Sequence, residues 1–444
     1  MTVSSPLLTS KILPESPIPR PPPGTFEAGS AFSCSTLLFT ASVGSGVLAL
    51  PSAAKGVGLG LGLLILLGAC LISATSDWIL GRAVSISGEK TYGSILGWSV
   101  GYTKGRHGQG KRLPAFDAFM AVYQAAAIVT YLIFLGDFVP SVIQVWFDAS
   151  ASRTLALVCI VYLAVLPLSV GSEISSLRVV GSFSLWVMAV TALTAVCKTP
   201  WNHLDQDQPA NTTPSSSVDW RQVMHALSLG TFAYMNQVNA VCITSELHNP
   251  TRRRLASVCT STALCLFLCY AALMSAVYLT FGQATTANFL QNYPMDDAAV
   301  NGCRVAVSLM LILACPLNLF PVTTSFFHAI GRCDLASTPR VRIFFNTIVL
   351  TICLLTAVWV PDVGSFIGFV SAYMATPLMI TLPAYISIVC CRAEDDTLTR
   401  KGLFNHRNRS LSRRLCRLIV PAILFALTVL LWAAATVNIF DKKS

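Results

Sequence analysis

Eleven stretches of this chain run for 18 residues or more without a single Asp, Glu, Lys or Arg. A helix needs roughly 20 apolar residues to cross the hydrocarbon core of a bilayer. The stretches cover 33 to 54, 59 to 76, 118 to 136, 154 to 172, 179 to 197, 222 to 245, 255 to 282, 305 to 331, 343 to 361, 363 to 391 and 418 to 440. Composition agrees, with 11% of residues charged against the roughly 25% of soluble domains. The expected fold is an all-α integral membrane protein of eleven transmembrane helices, residues 31–440, behind a disordered cytosolic N-terminal tail, residues 1–30. That tail carries seven Pro and no apolar region of the kind a signal peptide needs.

With the N-terminus cytosolic, 23 of the 30 Lys and Arg fall on the inner side, as the positive-inside rule requires. The C-terminus then lies outside or in a lumen, at a plasma membrane or a vacuolar or lysosomal one. The same frame puts the sequon at Asn211 in an outer loop, where glycosylation needs it. A net charge of +10 suits nucleic acid on count alone. The basic residues, however, sit in short segments between apolar runs, so they read as a topology signal and a match to anionic lipid, with no nucleic-acid partner. Most of the fifteen Cys lie inside apolar runs and lack zinc spacing, so no metal is expected. Cys197 and Cys303 fall at outer helix ends and are a candidate disulfide. No paired carboxylates, HExxH motif or nucleophile with a nearby base lies in the apolar runs, which argues against an enzyme and any cofactor.

The first apolar run contains Gly44, Ser45 and Gly46, with Pro51 just beyond. Each weakens a helical hydrogen-bond ladder, and a broken ladder in lipid is tolerated only where protein or a watery cavity satisfies the freed groups. Such a break suits either a tight packing face or a transporter site, where free N–H groups meet a carboxylate. The sixth run favours the second reading. In a five-plus-five inverted repeat it is the counterpart of the first, and it is unusually polar, with His225, Ser228, Thr231, Tyr234, Asn236 and Gln237 in sequence.

At these residues the chain resembles the amino acid/auxin permease family: GSGVLALP at 44–51, HALSLGTFAYMNQVNAVCITSEL at 225–247, CPLNLFP at 315–321 and SFIGFVSAYMATPLMITLPAYI at 365–386. The resemblance implies a LeuT-like five-plus-five core, repeat one at about 33–198 and repeat two at about 221–391, with a peripheral helix at 418–440. It also implies secondary active transport, a symport of amino acid and ion. The substrate site then uses Ser42, Gly44, Ser45, Gly46 and Val47 from helix one, and Phe232, Ala233 and Asn236 from helix six.

Sodium-coupled neutral members of that family typically carry an Asn four residues before the first Gly and a Thr in helix eight shortly before its Pro. Here those places hold Thr40 and the hydroxyl-free run 309–314, which favours protons. The ion-coupling candidates are Thr40, His225, Asp117 and Glu246. Asp77 and Asp137 read, like Asp117 and Glu246, as charges near helix ends within reach of solvent. No buried Arg or deep carboxylate is evident, so a neutral amino acid is the expected substrate. A sensor or receptor on a transporter fold, or a sodium-coupled or cationic amino-acid transporter, are the alternatives.

Overall fold

The computed structural model describes residues 27, 29–103, 113–150, 152–169, 177–200, 220–360, 362–400 and six positions between 422 and 429. Helix α1, Ala31–Ser42, starts at Ser30, whose Oγ accepts a hydrogen bond from the Ser33 N–H, an ordinary N-cap. It stops at Val43, where the backbone turns extended. Helix α2, Gly46–Ala49, passes at Pro51 into a 3-10 turn over Leu50–Ala54. The two halves are bent by 59°. Helix α3, Leu59–Ser87, is set off by Gly58 (φ 81°) and ended by Gly88 in the left-handed region, the usual C-terminal stop.

Next come α4, Tyr92–Thr103, and α5, Pro114–Phe147; α6, Arg153–Cys159, loosens into a π-helical stretch before α7, Leu166–Leu168; then follows α8, Leu177–Lys198. A second interruption separates α9, Trp220–Ala233, from α10, Gln237–Ser245. The order closes with α11, Arg252–Phe281; α12, Ala298–Ala329; α13, Cys333–Ser337; α14, Pro339–Trp359; α15, Val363–Val370; and α16, Leu382–Arg400. Among the described residues there is no strand.

Five of these helices (α3, α5, α11, α12 and α14), and α15–α16 taken as one continuous span through the π-helical stretch between them, are long and apolar enough to cross a membrane, and the α1–α2 pair makes a seventh when counted as one span. Ten of the eleven apolar runs coincide with a helix or an interrupted pair. The eleventh, 418–440, lies outside the described residues save the six positions already named, as does Asn211. Helix α4 is a departure from the sequence reading, which left that segment as a loop. Its Tyr92, Ile95 and Leu96 are buried, and it packs against α3 and α16.

α12 lies along α5, and α3 along α11. The outer surface keeps large apolar side chains bare, among them Leu64, Trp186, Phe344 and Trp359, which is stable only against lipid. Three expectations are corrected inside this bundle. Arg304 is a buried arginine, 2% exposed; its guanidinium donates to the carbonyls of Leu290 (2.8 Å) and Tyr293 (2.9 Å) and to Asn301 Oδ1 (2.5 Å). Asp137 is not a solvated end charge, because α5 continues past it to Phe147. It faces Arg153 at 3.6 Å and accepts from Asn288 Nδ2 at 3.1 Å. Cys197 and Cys303 both carry free thiols. Cys303 is buried with Sγ 3.5 Å from Thr194 Oγ1, while Cys197 is exposed.

Asp297 closes the start of α12. Its carboxylate accepts from the N–H groups of Ala299 and Val300 and pairs with Lys198 of α8 at 2.5 Å. The lysine, more than any other neighbour, holds the Asp297 carboxyl below its usual range. A depressed folded value means the stabilisation is present above the unfolded carboxyl range, near 3.9, and is lost as pH falls through the folded value. Asp297→Ala is expected to cost about 0.5 to 2 kcal/mol, the usual cost of losing a cap. It should also flatten the acid limb of the wild type's thermal midpoint against pH, which detergent-solubilised unfolding scans measure.

Candidate functional site

The first break is short. Val47 N–H bonds back only to Gly44 O (3.3 Å) and Leu48 N–H to Ser45 O (3.1 Å), so the opening turn of α2 is made of tight i+3 contacts. The N–H groups at the start of a helix have no partner within it and carry partial positive charge. What lets α2 reach this position is the lack of a side chain at Gly46. A Cβ there would meet Phe232 Cδ1 at 2.9 Å and Ala233 Cα at 3.0 Å. Gly44 differs, since its nearest neighbour to such a Cβ is Tyr131 Oη at 4.0 Å.

The second break lies directly against the first. Asn236 has φ −136° and ψ 0°, outside helical geometry, and its N–H donates to Gln237 Oε1 at 3.2 Å. Asn236 Nδ2 donates to Ser42 Oγ at 2.7 Å, joining the end of α1 to the start of α10. Tyr270 of α11 places its hydroxyl between the breaks and donates to Ser42 O (3.3 Å) and Ala233 O (3.2 Å). Ser73 of α3 donates to Tyr234 O at 3.3 Å. Neighbouring helices thus satisfy the carbonyls that the breaks release, which lipid would leave unpaired.

A cavity of about 450 Å³ opens where the breaks meet, within the size range of small-ligand sites. It runs from Gly44, Ser45 and Gly46 along α1 to Thr36, and from Asn236 along α10 to Ile243. Tyr123, Gln124 and Tyr131 of α5 form the facing wall, with Asn318 of α12 and Ser184 of α8. Asn318 Nδ2 donates to Ala314 O at 3.1 Å and reaches Tyr131 Oη at 3.4 Å. No Asp, Glu, Lys or Arg is among the lining residues. Exposed backbone ends and neutral polar groups are thus the means of recognition present.

Of the residues expected to hold substrate, Ser42, Gly44, Ser45, Gly46, Phe232 and Asn236 line this cavity. Val47 and Ala233 are buried just behind it, at 4% and 2% exposure. The ion-coupling candidates separate. Thr40 lines the cavity, with its hydroxyl donating to Thr36 O at 2.9 Å. His225 lies outside it, with Nδ1 3.8 Å from where Gly368 would carry a Cβ. Asp117 sits in the first turn of α5 against Gly93, and Glu246 is exposed at the end of α10.

The sequence reading missed Tyr123, Gln124, Tyr131 and Asn318. The signal was present, since Tyr123, Ala127 and Tyr131 recur every four residues on one face of an otherwise apolar helix, and Asn318 sits between Pro316 and Pro321. It also misplaced Asp77. The helix does not end with its apolar run at 76 but continues to Ser87, so Asp77 is buried at 2% exposure.

The family described as transmembrane amino acid transporter protein matches residues 27–406. A Toxoplasma gondii protein named as a candidate amino acid transporter, AAT1, is 28% identical over 307 residues, covering 68% of this chain. The match spans only 41% of that longer relative. Sodium-coupled neutral amino acid symporter 2 of Danio rerio is 26% identical over 383 residues, covering 79% of this chain and 74% of its own length. Amino acid transporter AVT6E of Arabidopsis thaliana is 25% identical over 378 residues, with the same shares, 79% and 74%. Among solved structures, a manganese transporter of Eremococcus coleocola, in complex with an aromatic bis-isothiourea substituted compound, overlays with a TM-score of 0.47 at 11% identity. It covers 92% of this chain and 95% of its own. The family and these named relatives are transporters rather than enzymes.

The two glycines of the first break make a paired test. Gly46→Ala is expected to destabilise by about 1 to 3 kcal/mol, the usual cost of overpacking, because backbone atoms of α9 block the new methyl. Gly44→Ala is expected to stay within about 0.5 kcal/mol. Thermal midpoints of the two purified variants compare them, and equal midpoints would refute the close-approach argument.

Proposed function

The chain belongs to the transmembrane amino acid transporter family, and we propose that it is a secondary active transporter carrying neutral amino acids across a membrane by alternating access, driven by protons. The observation that carries this reading is the uncharged cavity at the junction of the two helix breaks. All amino acids share one carboxylate and one ammonium group. The N–H groups opening α2 suit the first, and the carbonyls around the breaks suit the second. A charged side chain held in that cavity would have no ionic partner, whereas a neutral one needs none.

Where the cavity ends supports alternating access. It extends beside α1 to the exposed Thr36, the end that the distribution of basic residues assigns to the cytosol. At the opposite end Leu48, Ala49 and Leu50 are fully buried, and the turn over Phe289–Asn292 packs on α2. This arrangement suits an inward-open state of a LeuT-like five-plus-five cycle, in which α1–α2 and α9–α10 rock against the wall formed by α5 and α12. The reverse state would close the Thr36 end and lift the Phe289–Asn292 turn.

Protons fit the ion site better than sodium in this chain. The support is on α12, where Ala314 and Leu317 offer the cavity no side-chain oxygen. Sodium is the second reading, favoured by the names of relatives such as the Danio rerio symporter.

Uptake into reconstituted liposomes is the test, with neutral, basic and acidic amino acids under imposed pH or sodium gradients. Neutral substrates should accumulate under an inward proton gradient. No flux under either gradient would sink the transport reading, and binding without flux would favour a sensor. Gly46→Val is expected to abolish uptake while still inserting in the membrane, since its branched side chain cannot share space with Phe232 and Ala233.

A further inference from the structure

Asp77 differs from the other carboxylates of the bundle. Glu394 is paired with Arg82 and Arg252, Asp137 with Arg153 and Asp297 with Lys198. Asp77 lies on α3 at 2% exposure, beside the side-chain amides of Asn236 and Gln237, and its Oδ1 accepts no hydrogen bond. Ser76 Oγ, next to it in sequence, and Asn236 Oδ1 are also buried without partners. Buried polar groups are nearly always paired, so two partnerless oxygens at one helix break, Asp77 Oδ1 and Asn236 Oδ1, mark a place built for something besides packing.

Among the described residues no fixed cation serves this carboxylate. Arg82, five residues further along α3, gives Nε to Glu394 Oε1 at 2.8 Å and the rest of its fork to the same side chain. The titratable side chains that face Asp77 from packed elements are Tyr92 of α4 and Cys259 of α11, both ordinarily neutral at pH 7. On α16, Cys390, Cys391 and Glu394 surround Arg82 instead. His225 of α9 lies against Gly368, and Glu246 of α10 is exposed at the helix end. A carboxylate so placed needs a positive partner from outside the chain. The amide side chains beside it carry N–H donors, which suit a carboxylate. Among the described residues no cluster of three or more His, Cys, Asp or Glu side chains is placed to hold a metal ion.

We propose that Asp77 is the proton-binding residue of the transport cycle, taking one proton on its carboxylate to become a neutral carboxylic acid and returning it to the cytosolic side when substrate leaves. This rests on the transport reading above and replaces the carriers that the sequence suggested. The connection to substrate is direct. Asn236 lies beside Asp77, donates to Ser42 Oγ at 2.7 Å and lines the cavity. An ionised Asp77 only accepts hydrogen bonds and so draws on the second N–H of the Asn236 amide, whose first goes to Ser42. A protonated Asp77 can donate, and Asn236 Oδ1 is a vacant acceptor beside it. Protonation therefore changes the strength of the link that holds the two broken helices together.

The test uses full-length protein in liposomes containing a trapped pH dye. In the wild type, uptake of a neutral amino acid should bring protons in with it. Asp77→Asn should lose pH-gradient-driven accumulation, falling to passive equilibration, while substrate counterflow persists at a rate that no longer depends on pH. Accumulation retained by Asp77→Asn overturns the proposal. Wild-type uptake without proton entry overturns it too, including uptake driven by sodium alone, and needs no variant to fold. Absence of wild-type uptake under both gradients would instead overturn the transport reading.

Discussion

The 2.7 Å hydrogen bond from Asn236 to Ser42 joins two places where a membrane helix has given up its own hydrogen-bond ladder. In lipid a released N–H or carbonyl has no water to turn to, so each break is stable only if another part of the protein answers it. The answers come from α3 through Ser73, from α11 through Tyr270 and from the opposite break through Asn236. The packing of α3 and α11 around the interrupted pairs follows from that requirement. Without those donors, an unbroken helix would be the only stable form of either segment.

The same contacts decide the shape of the cavity. Gly46 allows α2 to touch α9 at backbone distance, which closes one end, while Gly44 faces open space toward Tyr131. On the far side, Arg304 holds the connection before α12 by its carbonyls and keeps that turn over α2. A buried arginine in this role is a structural clamp. Its donors are spent on the loop and it does not line the cavity, so it gives a bound molecule no ionic partner.

Much of the bundle was legible from the chain because a bilayer allows few solutions. Runs of apolar residues of spanning length must become helices, and Gly44, Gly46 and Pro51 must interrupt one. The polar residues from His225 to Gln237 similarly announced a helix that faces an interior. Periodicity carried less for the site wall: Tyr123, Gln124 and Tyr131 sit in a run so apolar that they passed as ordinary members of it. Helix α4 was overlooked because it is too short to span, and its burial against α3 and α16 is a tertiary fact.

Sequence alone therefore determined most of the spanning helices and the interruption of the first, since each rests on local hydrogen bonding or on transfer of short segments into lipid. Tertiary structure decided which polar groups meet. Residues 42 and 236 are 194 positions apart, and nothing local states that they bond. Asp77 shows the difference best: it lies one residue beyond an apolar run, where a count of hydropathy ends the helix and gives the carboxylate to water. The helix continues because α4, α10, α11 and α16 pack around it, and that enclosure, absent from any linear pattern, makes a surface charge into an interior one.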